Sequence, residues 1–563
     1  MATPGVFLDP AINDLSDSQS QAYEEGHDAD ADKEQSNGSP QDKHEQEQKH
    51  QHASAKALEV DFDKDVEKGT PSRDSSDEET VPVDAQKQEA PKPVDPNIVD
   101  WEQPADQDPM NPMNWSSKKK WGNIAILSLL SFTTPLASSM FAPGVPQVMQ
   151  KFHETSDLLA AFVVSIYILG FTIGPLIVAP LSEMYGRLPL YLISNIVFVI
   201  FTVACAVSTN MSMLIVFRLF EGCFGATPIT LGGGTIADLM PVEKRGGAMA
   251  IWAMGPLIGP VAGPVAGGFL VQAVGWRWVF WVIAIAAGTF CIVAFFLMRE
   301  TYGPVILARK AAKLRKETGN PNLRSKFDTG ETTMNRFKRS IVRPSKLLLL
   351  SPIVLSLSTY TALVYGILYL LFTTFTFVFQ GQYGFSEGVT GLVYIALGIG
   401  MLLGLAIMGP VSDGVIKSKQ RRGIPLRPED RLPLFLTLPG ALCIPSGLFI
   451  YGWTTQYHIH WIVPLIGTCF VGIGLLTVFM TIQTYLVDAF TIHAASAVAA
   501  NAVARSLFGA LLPLGGLKMY NALGLGWGNS LLGFLALAMV PLPILFNRYG
   551  EFIRTYPKFQ VKL

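Results

Sequence analysis

Three ionisable residues stand inside otherwise apolar stretches of the chain: Arg218, Glu221 and Arg505. Arg218 and Glu221 are spaced i,i+3 and share one face of a helix. A charge at bilayer depth costs of order 2.5–3.5 kcal/mol on insertion scales, so such a residue reads as functional. Burial and a neighbouring guanidinium pull a carboxylate's proton affinity in opposite directions. A Glu221 poised between them can take up a proton on one side of a membrane and release it on the other. The competing reading is a permanent Arg218–Glu221 pair that never titrates. Arg505, four residues after Asn501, joins this proton-coupling set.

A second group sits where apolar stretches end. Glu183 and Arg187 are spaced i,i+4, and Asp238 closes a later stretch on the same side. An Arg187 bridging Glu183 and Asp238 would latch two helix ends, and a few kcal/mol bias a two-state equilibrium. Asp413 and Asp488 hold matching places further on, with no arginine in register with Arg187. Surface ion pairs worth little are the alternative. Gly255, Gly259, Gly263 and Gly267 recur every four residues and line one helix face, which lets another backbone approach closely. Gly400 and Gly404 offer a complement. The adjoining Pro256, Pro260 and Pro264 remove backbone donors and should bend that helix. Thr134, Ser138, Tyr167, Tyr360, Tyr365, Gln483 and Asn501 put polar atoms at bilayer depth. With Phe132, Trp252, Phe372 and Phe375 they form the expected lining of a binding pocket. Such a pocket suits a bulky amphipathic or weakly cationic molecule.

These residues need apolar elements to carry them. The chain has 563 residues, 49% hydrophobic and 15% charged, with a formal net charge of −1. That neutrality averages two regions, since residues 1–121 carry −16 and residues 122–563 carry +15. From residue 122 onward the sequence runs in apolar blocks near 20 residues, the length that crosses about 30 Å of hydrocarbon. Twelve spans are predicted, at 122–142, 158–180, 189–207, 212–237, 247–271, 277–298, 352–379, 389–410, 432–452, 461–485, 494–517 and 527–547. The pattern excludes a soluble enzyme, a disulfide-rich domain and a nucleic-acid binder. The five cysteines lie within the blocks without metal-ligand spacing. No Gly-x4-Gly-Lys-Ser/Thr loop is present for ATP. Neither a metal nor a cofactor is expected.

The expected organisation runs from a disordered acidic cytoplasmic tail over 1–98 to a lead-in segment over 99–121. A six-helix bundle over 122–298, a basic cytoplasmic connection over 299–351 and a second six-helix bundle over 352–547 follow, with a tail over 548–563. The tail's few aromatics, Phe7, Tyr23 and Phe62, bury too little surface to order it. Its run Asp74-Ser75-Ser76-Asp77-Glu78-Glu79 is a candidate phosphorylation site. The connection 299–351 holds 13 Lys/Arg against four acids, whereas the turns on the opposite side hold Lys151 and Lys518 alone. Basic residues mark the cytoplasmic side, so both termini are expected there. Asn210-Met211-Ser212 is a glycosylation sequon in a very short outer turn.

The two halves look duplicated. Ala179-Pro180-Leu181-Ser182-Glu183 follows the second span and Gly409-Pro410-Val411-Ser412-Asp413 the eighth. Asp238 and Asp488 end the fourth and tenth. Six plus six helices is the architecture of transporters that rock two halves about a central site. Pro180-Leu181-Ser182-Glu183-x-x-Gly186-Arg187-x-Pro189, Arg218-x-x-x-Gly222 and the Gly-Pro repeat from Gly255 to Gly268 carry a further signal. So do Trp276-Arg277-Trp278, Ser496-x-x-Ala499-Ala500-Asn501-x-x-x-Arg505 and Asn111-Pro112-x-Asn114-Trp115. Together, over residues 99–556, they resemble the major facilitator superfamily and, within it, the fungal twelve-span drug:proton antiporters. Ala179 stands where that family usually has Gly, and Glu183 where Asp is common. The resemblance implies an all-α integral membrane fold of twelve helices in two pseudo-repeats, and no enzymatic activity. It implies proton-driven export of a drug, toxin, secondary metabolite or polyamine across the plasma membrane. The working unit would be a monomer whose partners are cargo, protons and lipid, with no nucleic acid. It also implies that the fifth helix seals the exporter against leak. An importer or facilitator of the same fold is one alternative. A non-transporting sensor signalling through the tail and the connection is the other.

Overall fold

A computed structural model describes residues 97–559 except 106, 329, 331 and 332, and leaves out the side chains of Val242, Glu243, Thr333, Asn335, Arg336, Asp413, Ile492 and Lys558. The tail expected over 1–98, with Ser75 and Ser76, lies outside these residues apart from Asn97 and Ile98.

Without water to satisfy backbone groups, a chain in lipid must close its hydrogen bonds within each helix. The first half does so in Ser117–Met140, Asp157–Tyr185, Arg187–Ala206, Met211–Leu239, Val242–Val274 and Arg277–Leu297, the first to sixth spans. The second half begins with Pro352–Tyr383, Glu387–Arg421, Leu434–Gln456 and Ile462–Phe490, the seventh to tenth. One helical run of 62 residues follows, Ala494–Thr555. At about 1.5 Å per residue it would be roughly three bilayer cores long. It turns back at Gly524, whose φ of 74° and ψ of 170° suit glycine and break the helix. Tyr520 Oη donates to Asn529 Oδ1 across that turn at 2.9 Å. The eleventh and twelfth spans are therefore 494–523 and 525–555, and the chain makes twelve passes.

The basic connection is more regular than its polar sequence suggests. It forms two helices, Gly303–Thr318 and Thr333–Leu350. The lead-in segment straps onto it. Ile98–Val99 (β1) pairs in parallel with Arg324–Ser325 (β2). Lys326 Nζ meets Asp100 Oδ2 at 2.7 Å and Lys310 Nζ meets Glu102 Oε1 at 3.1 Å. Burial pushes the Asp100 carboxyl up, but the Lys326 bond and the Trp101 N–H outweigh it and hold it below the ordinary carboxylate range.

The two halves meet at the end remote from the connection. Thr376 Oγ1 donates to the Ala142 carbonyl at 3.4 Å, Gly388 N–H to Gln272 Oε1 at 3.1 Å, and Asn521 Nδ2 to Asp157 Oδ2 at 2.9 Å. Nearer the middle, Ser138 Oγ and Tyr369 Oη share a 3.0 Å bond. Between the fifth and eighth spans the backbones almost touch. A Cβ on Gly268 would stand 2.5 Å from the Glu387 carbonyl oxygen, and one on Gly391 would collide with the Pro264 carbonyl.

That seam is not the one expected from the glycine repeat. Gly255, Gly259, Gly263 and Gly267 do share a face, but it is pressed onto the first span. Cβ atoms there would stand 2.6 Å from the Ser128 oxygen, 3.1 Å from the Leu136 nitrogen, 3.0 Å from the Met140 nitrogen, and against the Met140 carbonyl. Gly400 and Gly404 are not their complement. They face Cys469 and Ile473 of the tenth span. A four-residue period shows that a helix has a flat face and says nothing of which neighbour uses it. The seam between the fifth and eighth spans runs from Gly268 and Gly391 to Gly398, where a Cβ would stand 2.5 Å from Val261.

Candidate functional site

The last carbonyls of a helix have no partner within it and form its negative end. In the first span these belong to its final turn, which contains Ala137 and Ser138. Arg218 reaches them from the fourth span. Nη1 donates to the Ala137 carbonyl at 2.9 Å, Nη2 to Ser138 at 3.2 Å, and Nε to Val163 of the second span at 3.4 Å. Nη1 also meets Glu221 Oε2 at 3.3 Å, and both side chains are fully buried. Thr202 Oγ1 on the third span donates to Glu221 Oε1 at 3.0 Å, and Cys205 Sγ lies 3.8 Å from Oε2. The rings of Tyr167, Phe141 and Phe280 stand 4.7, 5.4 and 5.8 Å from the guanidinium carbon. The cluster is neutral and its donors are matched, which is how a charge this deep is tolerated.

Arg505 is not brought to that pair, contrary to the grouping expected from sequence. It lies on the eleventh span with the rings of Tyr365 and Phe479 each 5.0 Å away. Its Nε is buried and unmatched, and among the described residues its guanidinium meets no carboxylate. One turn earlier Asn501 is 1% exposed, with Nδ2 donating to Gln483 Oε1 at 3.2 Å and Oδ1 unmatched. One turn later, a Cβ on Gly509 would stand 2.9 Å from Tyr365 and 3.2 Å from Ile168 of the second span, so the halves touch there. Arg505, Tyr365, Phe479 and Gln483 are half-buried on the connection side of that contact.

The latch differs from its expected form. Arg187 Nε meets Asp238 Oδ2 at 3.5 Å and Nη1 donates to Ser182 Oγ at 2.7 Å. Glu183 is exposed and outside the bridge. The second span ends at Tyr185 and Gly186 turns the chain with φ of 101°, so helical i,i+4 spacing does not carry across it. Glu300 stands there instead. Its carboxylate accepts the Arg187 N–H at 2.9 Å and the Leu188 N–H at 3.2 Å, capping the third span. The second half has a latch after all, because Arg431 Nε donates to Asp488 Oδ2 at 2.6 Å. Arg187-Leu188-Pro189 and Arg431-Leu432-Pro433 repeat at the starts of the third and ninth spans, and that signal could have found it. The side chain of Asp413 lies outside the described residues.

Several expected lining residues are packing residues. Tyr167 Oη donates to the Thr134 carbonyl at 2.9 Å and Thr134 Oγ1 to Gly225 at 2.7 Å, inside the first half. Tyr360 is fully buried with its hydroxyl unmatched. Phe372 and Phe375 pack on Tyr394 at 5.5 and 5.2 Å. Trp252 Nε1 donates to Ser131 Oγ at 2.8 Å, and Phe132 backs onto Gly255. Polarity or aromaticity at bilayer depth does not separate the inside of a half from the cleft between halves. Tyr365, Gln483, Asn501 and Arg505 come together, and Phe479 is the member missed. Asn210 caps the fourth span, its Oδ1 accepting the Met213 N–H at 2.8 Å, so its sequon lies in the first helical turn.

Residues 127–513 match the sequence profile of the Major Facilitator Superfamily. The chain is 56% identical over 472 residues to a protein of Floropilus chiversii named efflux pump radE, covering 83% of this chain and 87% of that one. It is 57% identical over 470 residues to the MFS-type transporter penM of Penicillium rubens, covering 84% and 92%. Among solved structures, a bacterial homologue of the human lysosomal transporter Spinster, in an inward-facing and unoccupied conformation, superposes with a TM-score of 0.57. That match has 16% identity and covers 79% of this chain and all of the other.

Proposed function

The chain belongs to the Major Facilitator Superfamily, and from that premise we propose that it exports a small organic molecule in exchange for protons by alternating access. A multi-pass membrane transporter, rather than an enzyme, is what the family and the relatives give. The observation that carries the finer reading is Glu221, an ionisable side chain sealed inside the first half and tied to Arg218 and Thr202. Protonating Glu221 removes its charge from Arg218 and weakens its hold on Thr202 and Cys205 of the third span. A change at one atom is thereby passed to the packing of four spans. Arg187–Asp238 and Arg431–Asp488 keep each half intact as it rocks. The charge bias argues for the connection 299–351 and both termini in the cytoplasm, so the end at which the two halves meet faces outward. We assign the protein to the plasma membrane as a monomer. The names of the relatives support export over uptake.

The test is the purified full chain in vesicles with an imposed pH gradient. Proton movement is read by a trapped pH dye while an aromatic acid, a neutral aromatic alcohol and a polyamine are offered. Cargo-dependent proton flux is expected in wild type. In Glu221→Gln it should vanish while cargo binding stays. Undiminished coupled flux in that variant would overturn the proton role.

A further inference from the structure

We infer that Arg505 anchors a site for an anionic aromatic molecule, whose acidic group supplies the counter-charge that the surrounding helices do not. The inference rests on the transport reading only for calling that molecule the cargo. The site itself is built from five side chains on three spans. Phe479 and Gln483, spaced i,i+4, share a face of the tenth span. Asn501 and Arg505, also i,i+4, share a face of the eleventh, and the Gln483–Asn501 bond at 3.2 Å holds the two faces together. Tyr365 closes the site from the seventh span.

The charges there do not balance. Glu221 is committed to Arg218 at 3.3 Å in the other half. Arg505 is left with the faces of two aromatic rings, which attract a cation but carry no counter-charge. A guanidinium presents five N–H donors in a rigid fork that fits a carboxylate at two points. Here the buried Nε has no acceptor. The unmatched Oδ1 of Asn501, one turn away, accepts a hydroxyl or N–H on the same molecule. Tyr365 and Phe479 present ring faces to its flat body. The position suits a transport site, since the halves touch one turn beyond, at Gly509 and Ile168. A bound molecule would then be covered or uncovered as that contact forms or parts. A polyamine meets a like charge here, which reverses the weakly cationic preference expected from sequence.

Equilibrium dialysis of the full chain in detergent at pH 7 tests this with naphthalene-2-carboxylate, 2-naphthylmethanol and 2-naphthylmethylammonium. Wild type should bind the acid at least tenfold more tightly than the alcohol, and the ammonium ion most weakly. Arg505→Gln should bring acid and alcohol level, and Arg505→Lys should restore part of the gap. Melting curves of the variants report that they are folded. Equal binding of the three probes by wild type, a preference intact in Arg505→Gln, or no saturable binding of any probe overturns the site. The vesicle assay separates the two readings. Acid-selective binding without movement of any probe defeats transport and leaves the site. Movement of all three at equal rates leaves transport and defeats the site.

Discussion

Arg218 directs its donors to carbonyls of Ala137, Ser138 and Val163 and to Glu221, whereas Arg505 faces Tyr365 and Phe479 with its Nε unmatched. Both are arginines inside an apolar span, and that alone gives them the same reading. The difference lies in where the complement comes from. The first half provides it internally, at the carbonyl end of a helix, so Arg218 is a tie between spans with a titratable neighbour. The second half surrounds Arg505 with ring faces and an amide, and among the described residues no carboxylate meets it.

The strongest way to break this contrast is to remove each charge in turn. Arg218→Leu leaves Glu221 buried without its counter-charge and removes the donors of the helix-end carbonyls of Ala137 and Ser138, a loss of about 3–5 kcal/mol. Its melting temperature in detergent should fall steeply, with poor monodisperse yield. Arg505→Gln forfeits two ring contacts, about 1 kcal/mol or less at a half-buried site, so it should melt near wild type while losing its preference for the aromatic acid. Equal melting temperatures for the two variants would erase the distinction. A second pair sharpens the separation between ties within a half and seams between halves. Gly259→Leu overpacks the contact between first and fifth spans and should destabilise by about 1–3 kcal/mol. Gly268→Leu should instead hold the far end apart. Spin labels at Gln147 and Glu387, whose side chains lie 3.5 Å apart, should report a longer distance in Gly268→Leu and an unchanged one in Gly259→Leu.

The smallest effect lies outside the bilayer, where charge complements are solvated. Asp100 has its carboxyl held below the ordinary value of 3.8. Its contribution to the strap is therefore present above pH 3.8 and is lost as the pH falls through the lower, folded value. Protection of the Arg324 and Lys326 amides, which donate to the Asn97 and Val99 carbonyls, should be unchanged in hydrogen exchange between pH 7 and 5 and should decline only in stronger acid. Asp100→Asn should show the loosened strap at every pH. A decline beginning near pH 6 would point to another group.

The spans were legible because lipid demands long apolar helices, and their ends were marked by residues such as Asp238 and Asp488. Arg218 and Glu221 were legible for the same reason, since few charges survive in such helices. What could not be read was partnership. The glycines from Gly255 to Gly267 announce a flat face, yet the first span, and not the eighth, lies against it. Glu183 has the spacing to reach Arg187 on a continuous helix, but Gly186 interrupts that helix and Glu300 stands in its place. Phe479 gave no signal at all, because one phenylalanine in an apolar span looks like any other.

Glu300 also bears on the order in which the protein is made. It follows Arg187, whose N–H it receives, by 113 positions. At about 5–20 residues per second, the start of the third span would wait roughly 6–23 s for its cap. Through that interval the helix start at Gly186 lacks the carboxylate that later fixes it. Completion of the first half is thereby keyed to emergence of the sixth span, and a nascent chain halted before Glu300 should remain open to protease at Tyr185.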